Sequence, residues 1–225
     1  MTQRISIIVP ILNEAHTIRG LLDNLCELGP DEVVLVDGGS TDGTLELVDD
    51  RARLILGPRG RGAQLNEGAR HSTGEVLLFL HADVRLQPGA LQQIREALAD
   101  PRVLGGNFDI RFEGGDGVAR FFDFVNRYRC YFGIFFGDSG IFCRREVFHR
   151  LEGYKPWPVL EDYEFARRMW RMGPVRFLRE PIYVSDRRWR NGGLLRTMFS
   201  WFWIMSLYIA GVSPYRLARF YRAIR

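Results

Sequence analysis

Along the first hundred residues, continuous apolar runs alternate with segments of helical periodicity. Ile5 to Leu12 (ISIIVPIL) is unbroken and rich in β-branched side chains, the pattern of a strand covered on both faces. Asn13 is placed to cap a helix in which Ile18, Leu21, Leu22 and Leu25 recur, and Gly29-Pro30 ends it. Glu32 to Val36 predicts a second buried strand, running into Asp37, the turn-rich Gly38 to Thr44 and a short helix that closes near Asp50. Arg53 to Leu56 predicts a third strand, Gly57 to Gly62 a loop, and Ala63 to His71 a helix. The fourth strand, Val76 to Leu80, ends in His81-Ala82-Asp83, and Pro88 opens a helix that closes near Ala99.

Four β-α units joined by short connections predict an α/β fold with a mostly parallel sheet and helices on both faces. Beyond residue 100 the rhythm loosens. Val103 to Phe112 predicts one long strand, the aromatic-rich Val118 to Tyr131 a helix, and Glu161 to Met172 another. Without a repeat or a linker, the pattern gives a single domain over residues 1–190 and a helical tail over 191–225.

Composition adds exclusions. With 225 residues, 46% hydrophobic and 26% charged, the chain is that of a folded domain and not of a disordered or coiled-coil protein. Cys26, Cys130 and Cys143 are too far apart for a CxxC zinc site or a disulfide framework. No secretory leader is read at the N-terminus, so the expected compartment is the reducing cytoplasm.

The net charge of +4 conceals an asymmetry: Arg187 to Arg225 holds eight arginines and no acid, leaving the rest of the chain net acidic. The tail's apolar core, Met198 to Val212, is shorter than the roughly 20 residues of a membrane span. Arg196 precedes it, and Arg216, Arg219, Arg222 and Arg225 follow. Two readings stay open, an amphipathic helix on an anionic membrane surface and a helix packed on the core with its arginines in solvent. Nucleic acid is disfavoured, because the acidic remainder repels phosphate.

Ligands of open α/β sheets collect beyond the carboxyl ends of the strands. Asn13 and Glu14 follow the first strand, Asp37 the second and Asp83 the fourth. Neighbouring carboxylates repel unless something positive binds between them, so together they point to a site. Taken singly, Asn13 reads equally as a helix cap, and Asp37 as the anchor of the Gly38-Gly39 turn. Neither GxGxxG after the first strand nor GxxxxGK[ST] is present, which excludes hydride transfer and ATP hydrolysis by those motifs.

Pro10-Ile11-Leu12-Asn13-Glu14 and Val36-Asp37-Gly38-Gly39-Ser40-Thr41-Asp42-Gly43-Thr44 resemble the two opening motifs of the family 2 glycosyltransferases. Asn66-Glu67-Gly68-Ala69-Arg70, Gly74-Glu75 and His81-Ala82-Asp83 continue the likeness, as do Leu151-Glu152-Gly153-Tyr154, Leu160-Glu161-Asp162-Tyr163-Glu164 and Arg167-Arg168-Met169. The likeness spans roughly residues 5 to 190, and its specificity lies in the order and spacing of the motifs. It implies a GT-A-like (Rossmann-like) fold, with a nucleotide-sugar half over about 1–100 and an acceptor half over about 101–190. A compact subgroup with a His-Ala-Asp motif, associated with arsenosugar biosynthesis, is similar in overall pattern.

The resemblance implies an inverting transferase that moves a sugar from a UDP- or GDP-linked donor to an acceptor hydroxyl. Asp37 would contact the nucleotide base, with Pro10, Asn13 and Glu14 lining the same pocket. His81, Ala82 and Asp83 would face the diphosphate, with Asp83 holding Mg²⁺ or Mn²⁺, hard ions that keep one or two protein carboxylates beside a phosphate ligand. His81 stands where the family carries an aspartate, so metal binding would rest on Asp83, or His81 would serve Mn²⁺ or hydrogen-bond the donor. Arg59 or Arg61 adds positive charge there, and Arg61 is the candidate carried forward. Asp162 matches the general base that takes the acceptor's proton, and neighbouring Glu161 is expected to raise its pKa by repulsion. For Glu161, Asp162 and Glu164 the plainer alternative is an acidic first turn complementing a helix dipole. Asp138, Glu161 and Trp189 are the acceptor-side candidates, Trp189 lying in an Arg187-Arg188-Trp189 run similar to the (Q/R)xxRW element of processive members. Two rivals remain: transfer to a polyprenyl phosphate at the inner face of a membrane, and a nucleotide-sugar-binding protein without catalysis.

Overall fold

A computed structural model describes residues 3–112, 123, 128, 136–184 and 194–224; in the last segment, it describes the side chains of 199–220. Eight strands form one sheet: β1 (Ile5–Ile11), β2 (Glu32–Asp37), β3 (Arg53–Leu56), β4 (Val76–Phe79), β5 (Val84–Arg85), β6 (Gly105–Phe112), β7 (Ile141–Arg144) and β8 (Val175–Val184). Their order is β3-β2-β1-β4-β7-β6-β8-β5.

The first four strands pair in parallel. β1, β2 and β4 are buried along nearly their whole length, which is why each reads as an unbroken apolar run and not as an alternation. β7 then joins β4 antiparallel, β6 joins β7 antiparallel, and β8 runs parallel to β6 and antiparallel to β5. The second half of the sheet is therefore mixed.

Seven helices are seen among the described residues: α1 (Ile18–Leu28), α2 (Arg61–His71), α3 (Ala90–Ala97), α4 (Arg145–Arg150), α5 (Glu161–Met172), α6 (Leu194–Ile209) and α7 (Pro214–Ile224). α1 and α3 cover one face of the sheet, with Ile18, Leu22, Leu25 and Ile94 in the cluster that also holds Ile5, Ile7 and Val9. α2, α4 and α5 cover the other, packing Leu65, Val147, Phe165 and Met169 against Ile8, Leu77 and Phe79. The opposite-facing side chains of β1 thus feed two separate cores. α6 and α7 form a hairpin with a third, small cluster of Val159, Ile204 and Leu217. No helix among the described residues is long and apolar enough to cross a membrane.

Several expectations are corrected. The helix expected up to Asp50 is only a 3-10 turn at Leu45–Leu47, because Asp42 and Thr44 bond each other and hold the chain in turns. Asn13 does not cap α1, which starts five residues later. It sits at φ 56° and accepts the Thr41 N–H on Oδ1, tying the two loops together. α2 begins two residues early, at Arg61, and α3 two residues after Pro88. The predicted helix at Val118–Tyr131 lies outside the described residues except at Asp123 and Tyr128, and Trp189 lies wholly outside them.

Candidate active site

The carboxyl ends of β1, β2 and β4 lie side by side and carry the loops singled out above. The end of β2 is organised by Asp37. Its buried carboxylate accepts the Gly39 N–H (2.7 Å) and the Ser40 N–H (3.0 Å), and also the Ser40 hydroxyl. Gly39 has φ 98°, a conformation that glycine adopts without a Cβ penalty. Asp37 is therefore the anchor of its own turn, as the plainer reading expected. Asn13 N–H donates to the Ser40 hydroxyl at 2.9 Å, and Glu14 N–H to the Thr44 hydroxyl at 2.8 Å. Glu14 also accepts the Thr17 hydroxyl at 2.6 Å. Asn13, Glu14 and Asp37 thus knit the two loops together, while Pro10 lies within β1 opposite Val36.

Sequence reasoning missed the residue beneath them. Gln64, on α2 and buried, donates through Nε2 to the carbonyls of Ile11 (2.9 Å) and Val36 (2.8 Å). One amide clamps the last turns of β1 and β2 together. Asn66, two residues on and so on another side of α2, bonds the Tyr154 backbone both ways at 2.8 Å, fixing the Gly153-Tyr154 segment to α2. Polar residues on a helix read as a solvent face. Only the small Gly62 and Gly68, where an added Cβ would strike Lys155 or Ile8, hinted that this face lies against the protein.

A second group assembles around Gly137. A Cβ at this glycine would lie 2.7 Å from His81 Nε2 and 3.0 Å from Asp162 Oδ2, so the imidazole at the end of β4 and the carboxylate at the start of α5 flank the same backbone. Asp162 Oδ2 accepts the Gly137 N–H at 2.8 Å and its Oδ1 the Tyr163 N–H at 2.7 Å. Arg61, the first residue of α2, reaches across. Its Nε donates to Glu161 Oε1, and its Nη2 lies 3.4 Å from Asp162 Oδ2. Asp138, next to Gly137, is close enough to His81 to favour its charged form. Leu160, at φ 62°, bends the chain so that α5 starts here.

The electrostatics follow from burial and from Arg61. Burial raises the Asp162 carboxyl, but Arg61, the Gly137 N–H, His81 and the Tyr163 N–H outweigh it and hold it below the ordinary carboxylate range. The expected upward push from Glu161 is overturned, because the guanidinium stands against both acids. Burial raises Glu161 itself, with Asp162 adding to the effect. Glu161 is buried beneath the N-terminus of α2, where it accepts from Arg61. Burial and Arg61 push His81 down, which keeps the imidazole neutral at pH 7.

These shifts give a pH prediction. The Asp162 carboxylate can accept a proton only when ionised, and Arg61 helps to keep it ionised in mildly acid solution. Arg61→Met removes that support, so the carboxyl rises and the acid limb of the kcat–pH profile moves to higher pH. A limb unmoved in the variant would show that Arg61 does not govern this carboxylate.

Asp83 is exposed, at the turn between β4 and β5, while Ala82 is buried. No group of three metal-ligating side chains is found among the described residues. The exposed Asp83 carboxylate can offer a divalent ion one protein oxygen, the kind of ligand such ions take together with water and other oxygen donors.

Comparison with known proteins now adds to this geometry. The model of glycosyl transferase family 2 matches residues 6–151. A PGL/p-HBAD biosynthesis glycosyltransferase of Mycobacterium tuberculosis is 42% identical over 88 residues, covering 35% of this chain and 34% of that protein. The glycosyltransferase AglE of Haloferax volcanii is 28% identical over 137 residues, covering 54% of this chain and 45% of its own. The matched part thus spans less than half of each relative. Among solved structures, a mannosyltransferase of Pyrobaculum calidifontis in complex with GDP-Man and Mn²⁺ superposes with a TM-score of 0.67 at 29% identity, covering 83% of this chain and 57% of that one. TarS of S. aureus in complex with UDP-GlcNAc has the same TM-score at 19% identity, covering 81% and 58%, a likeness of fold.

Proposed function

The chain belongs to glycosyl transferase family 2, and from that premise we propose that it transfers a sugar from a nucleoside diphosphate-sugar to an acceptor hydroxyl with inversion, Asp162 acting as the base. The observation that carries this reading is the convergence on Gly137. A carboxylate from α5, which accepts the Gly137 N–H, and an imidazole from the end of β4 flank one glycine. The alternative of a helix dipole complemented by acids accounts for Glu164, which binds Arg168 and Lys155. It does not account for a buried Asp162 aimed at another loop.

In this reading the loops tied by Asn13, Asp37 and Ser40 receive the nucleoside, with Pro10 and Glu14 at the same rim. Asp83 would hold Mg²⁺ or Mn²⁺ on the diphosphate. Such an ion, when bound, neutralises the departing phosphate charge. The neutral imidazole of His81 offers one donor and one acceptor to ribose or phosphate. Arg61 contributes a fixed positive charge, and Asp162 accepts the acceptor's proton as its oxygen attacks the anomeric carbon. The nucleotide-bound state of the P. calidifontis mannosyltransferase supports GDP as a candidate; UDP remains the other.

Thermal unfolding against nucleoside diphosphates tests the donor site. Ligand at about 100 times its Kd adds about 2.7 kcal/mol to a folded protein. The expected result is a Mn²⁺-dependent upward shift of Tm with GDP or UDP, its metal dependence lost in Asp83→Ala. A folded protein that no diphosphate stabilises, with or without Mn²⁺, would remove the transferase reading.

A second reading places the reaction on the inner face of an anionic membrane, with a polyprenyl phosphate as acceptor. It is favoured by the outer side of α6, where Phe199, Phe202, Trp203 and Ile209 are all exposed. Co-sedimentation with anionic vesicles at low salt tests it.

A further inference from the structure

The α6–α7 hairpin has two faces with different surroundings. On α6, Phe199, Phe202, Trp203, Ser206, Ile209 and Ala210 share one side by helical spacing. Phe199 and Trp203 stack at 6.0 Å, and Phe202 and Ile209 are 70% and 75% exposed. Cations border this apolar side. Arg216 and Arg219 are exposed on α7. A cleft of about 320 Å³ beside Tyr208 and Ile209 is lined on α5 by Arg167, Arg168 and Arg171, with Glu164, paired to Arg168 and Lys155, as its one acid. Exposed aromatics on α6, with exposed arginines on α7 and arginines of α5 beside Ile209, match an anionic bilayer, into which the rings insert while the guanidinium groups meet the headgroups.

The inner face touches the segment that carries the base. Tyr208 lies edge-on to Trp157 (6.1 Å) and to Tyr163 (5.8 Å). Ile204 and Leu217 pack on Val159, with Leu160 alongside, and the Tyr215 hydroxyl donates to the Pro156 carbonyl at 3.3 Å. Tyr163 is the link inward. Its own N–H binds Asp162, its ring packs at 5.6 Å on Phe136, and Phe136 precedes the Gly137 whose N–H binds the other oxygen of Asp162. Both backbone donors of the carboxylate therefore belong to residues in, or next to, the contact chain that starts at Tyr208.

We propose that the α6–α7 hairpin couples membrane docking to the catalytic carboxylate: an anionic bilayer on its outer face holds its inner face against Tyr163 and so fixes the two N–H donors of Asp162. The hairpin is a positioning element, and Tyr208 is its positioning residue. This inference rests on the membrane reading above. Its physical basis is that the hairpin's contact with the Val159–Tyr163 segment is a small cluster, separate from the packing of Trp201 on the main core, so an added surface contact shifts that contact toward the docked state.

The test combines co-sedimentation and amide exchange on the full chain, with phosphatidylglycerol–phosphatidylcholine vesicles against phosphatidylcholine alone. Sedimentation reports the membrane reading and exchange reports the coupling. With anionic vesicles, exchange is expected to slow about tenfold in peptides covering 136–140 and 157–165, well inside the covered surface. Phe202→Asp should lose both sedimentation and slowing. Tyr208→Leu, which keeps the apolar volume, should sediment like the wild type without the slowing. Wild type that sediments while those peptides exchange at an unchanged rate would overturn the coupling and leave the membrane reading intact. Wild type that fails to sediment at low salt would overturn both, with the donor site still tested separately by the diphosphates.

Discussion

Asp162→Asn is expected to lower kcat for sugar transfer by about 10²- to 10⁴-fold, the range of a positioned general base, while nucleoside diphosphate affinity stays within a few-fold of the wild type. Asparagine is nearly the same size and can still accept the Gly137 N–H through its amide oxygen, so the 2.8 Å contact and the turn at 137–139 survive. What is lost is the negative charge that Arg61 holds in place and the ability to accept a proton. Rate and affinity should therefore separate, and nucleotide release with saturating acceptor, paired with diphosphate titration, measures them. Equal activity in wild type and variant would sink the assignment of the base and favour a nucleotide-sugar-binding protein whose chemistry, if any, lies elsewhere.

Gln64→Leu is expected to be the most costly single change outside the reacting groups. Leucine fills most of the volume but leaves the Ile11 and Val36 carbonyls without their side-chain donor in a buried place. The Ile11 carbonyl keeps the Gly38 N–H at 3.0 Å, so what is lost is two side-chain hydrogen bonds of about 0.5–1.5 kcal/mol each, and a fall of about 1–3 kcal/mol in unfolding free energy is expected, readable by denaturant titration. Affinity should suffer further. The two carbonyls close the strands from which the Asn13 and Asp37 loops spring, so the variant should bind diphosphate weakly even where it is fully folded. A variant as stable as wild type would mean that those carbonyls find other partners.

Much of the first half of the chain was legible because its physics is local. β1, β2 and β4 are covered on both faces and read as apolar runs, and α1 is strongly one-sided, burying Ile18, Leu21, Leu22 and Leu25. The second half was less so. β8 carries exposed arginines and glutamate, holds Pro181, and meets a register shift at Phe108/Asp109, so neither alternation nor a continuous run marks it. β7 is four residues long and runs straight into α4. The tail was read as one apolar core followed by arginines. It is a hairpin, broken at Gly211 (φ 87°) before Pro214 opens the next helix.

In the site, motif order names Asp162 and His81, but only the fold brings them to opposite sides of Gly137. The pairing of Arg61 with Glu161 joins residues a hundred positions apart. No periodicity records such a contact. The same holds for Gln64, whose role depends on two backbone carbonyls and on no other side chain. Asp37 shows the opposite case, since its bonds stay within three residues and the Gly-Gly that follows it announced the turn.

The strand order also bears on how the chain is made. β4 pairs with β1 on one side and with β7 on the other, and β7 emerges from the ribosome about sixty residues after β4. At synthesis rates of about 5–20 residues per second, the wait is several seconds. Throughout it, Val76 to Phe79 offers a wholly apolar open edge, the kind of edge that recruits strands from other chains. Nascent chains of this protein are therefore natural clients for a ribosome-associated chaperone until Ile141 to Arg144 arrives, and a slow-codon stretch placed between residues 80 and 140 would lower the soluble yield without altering one amino acid.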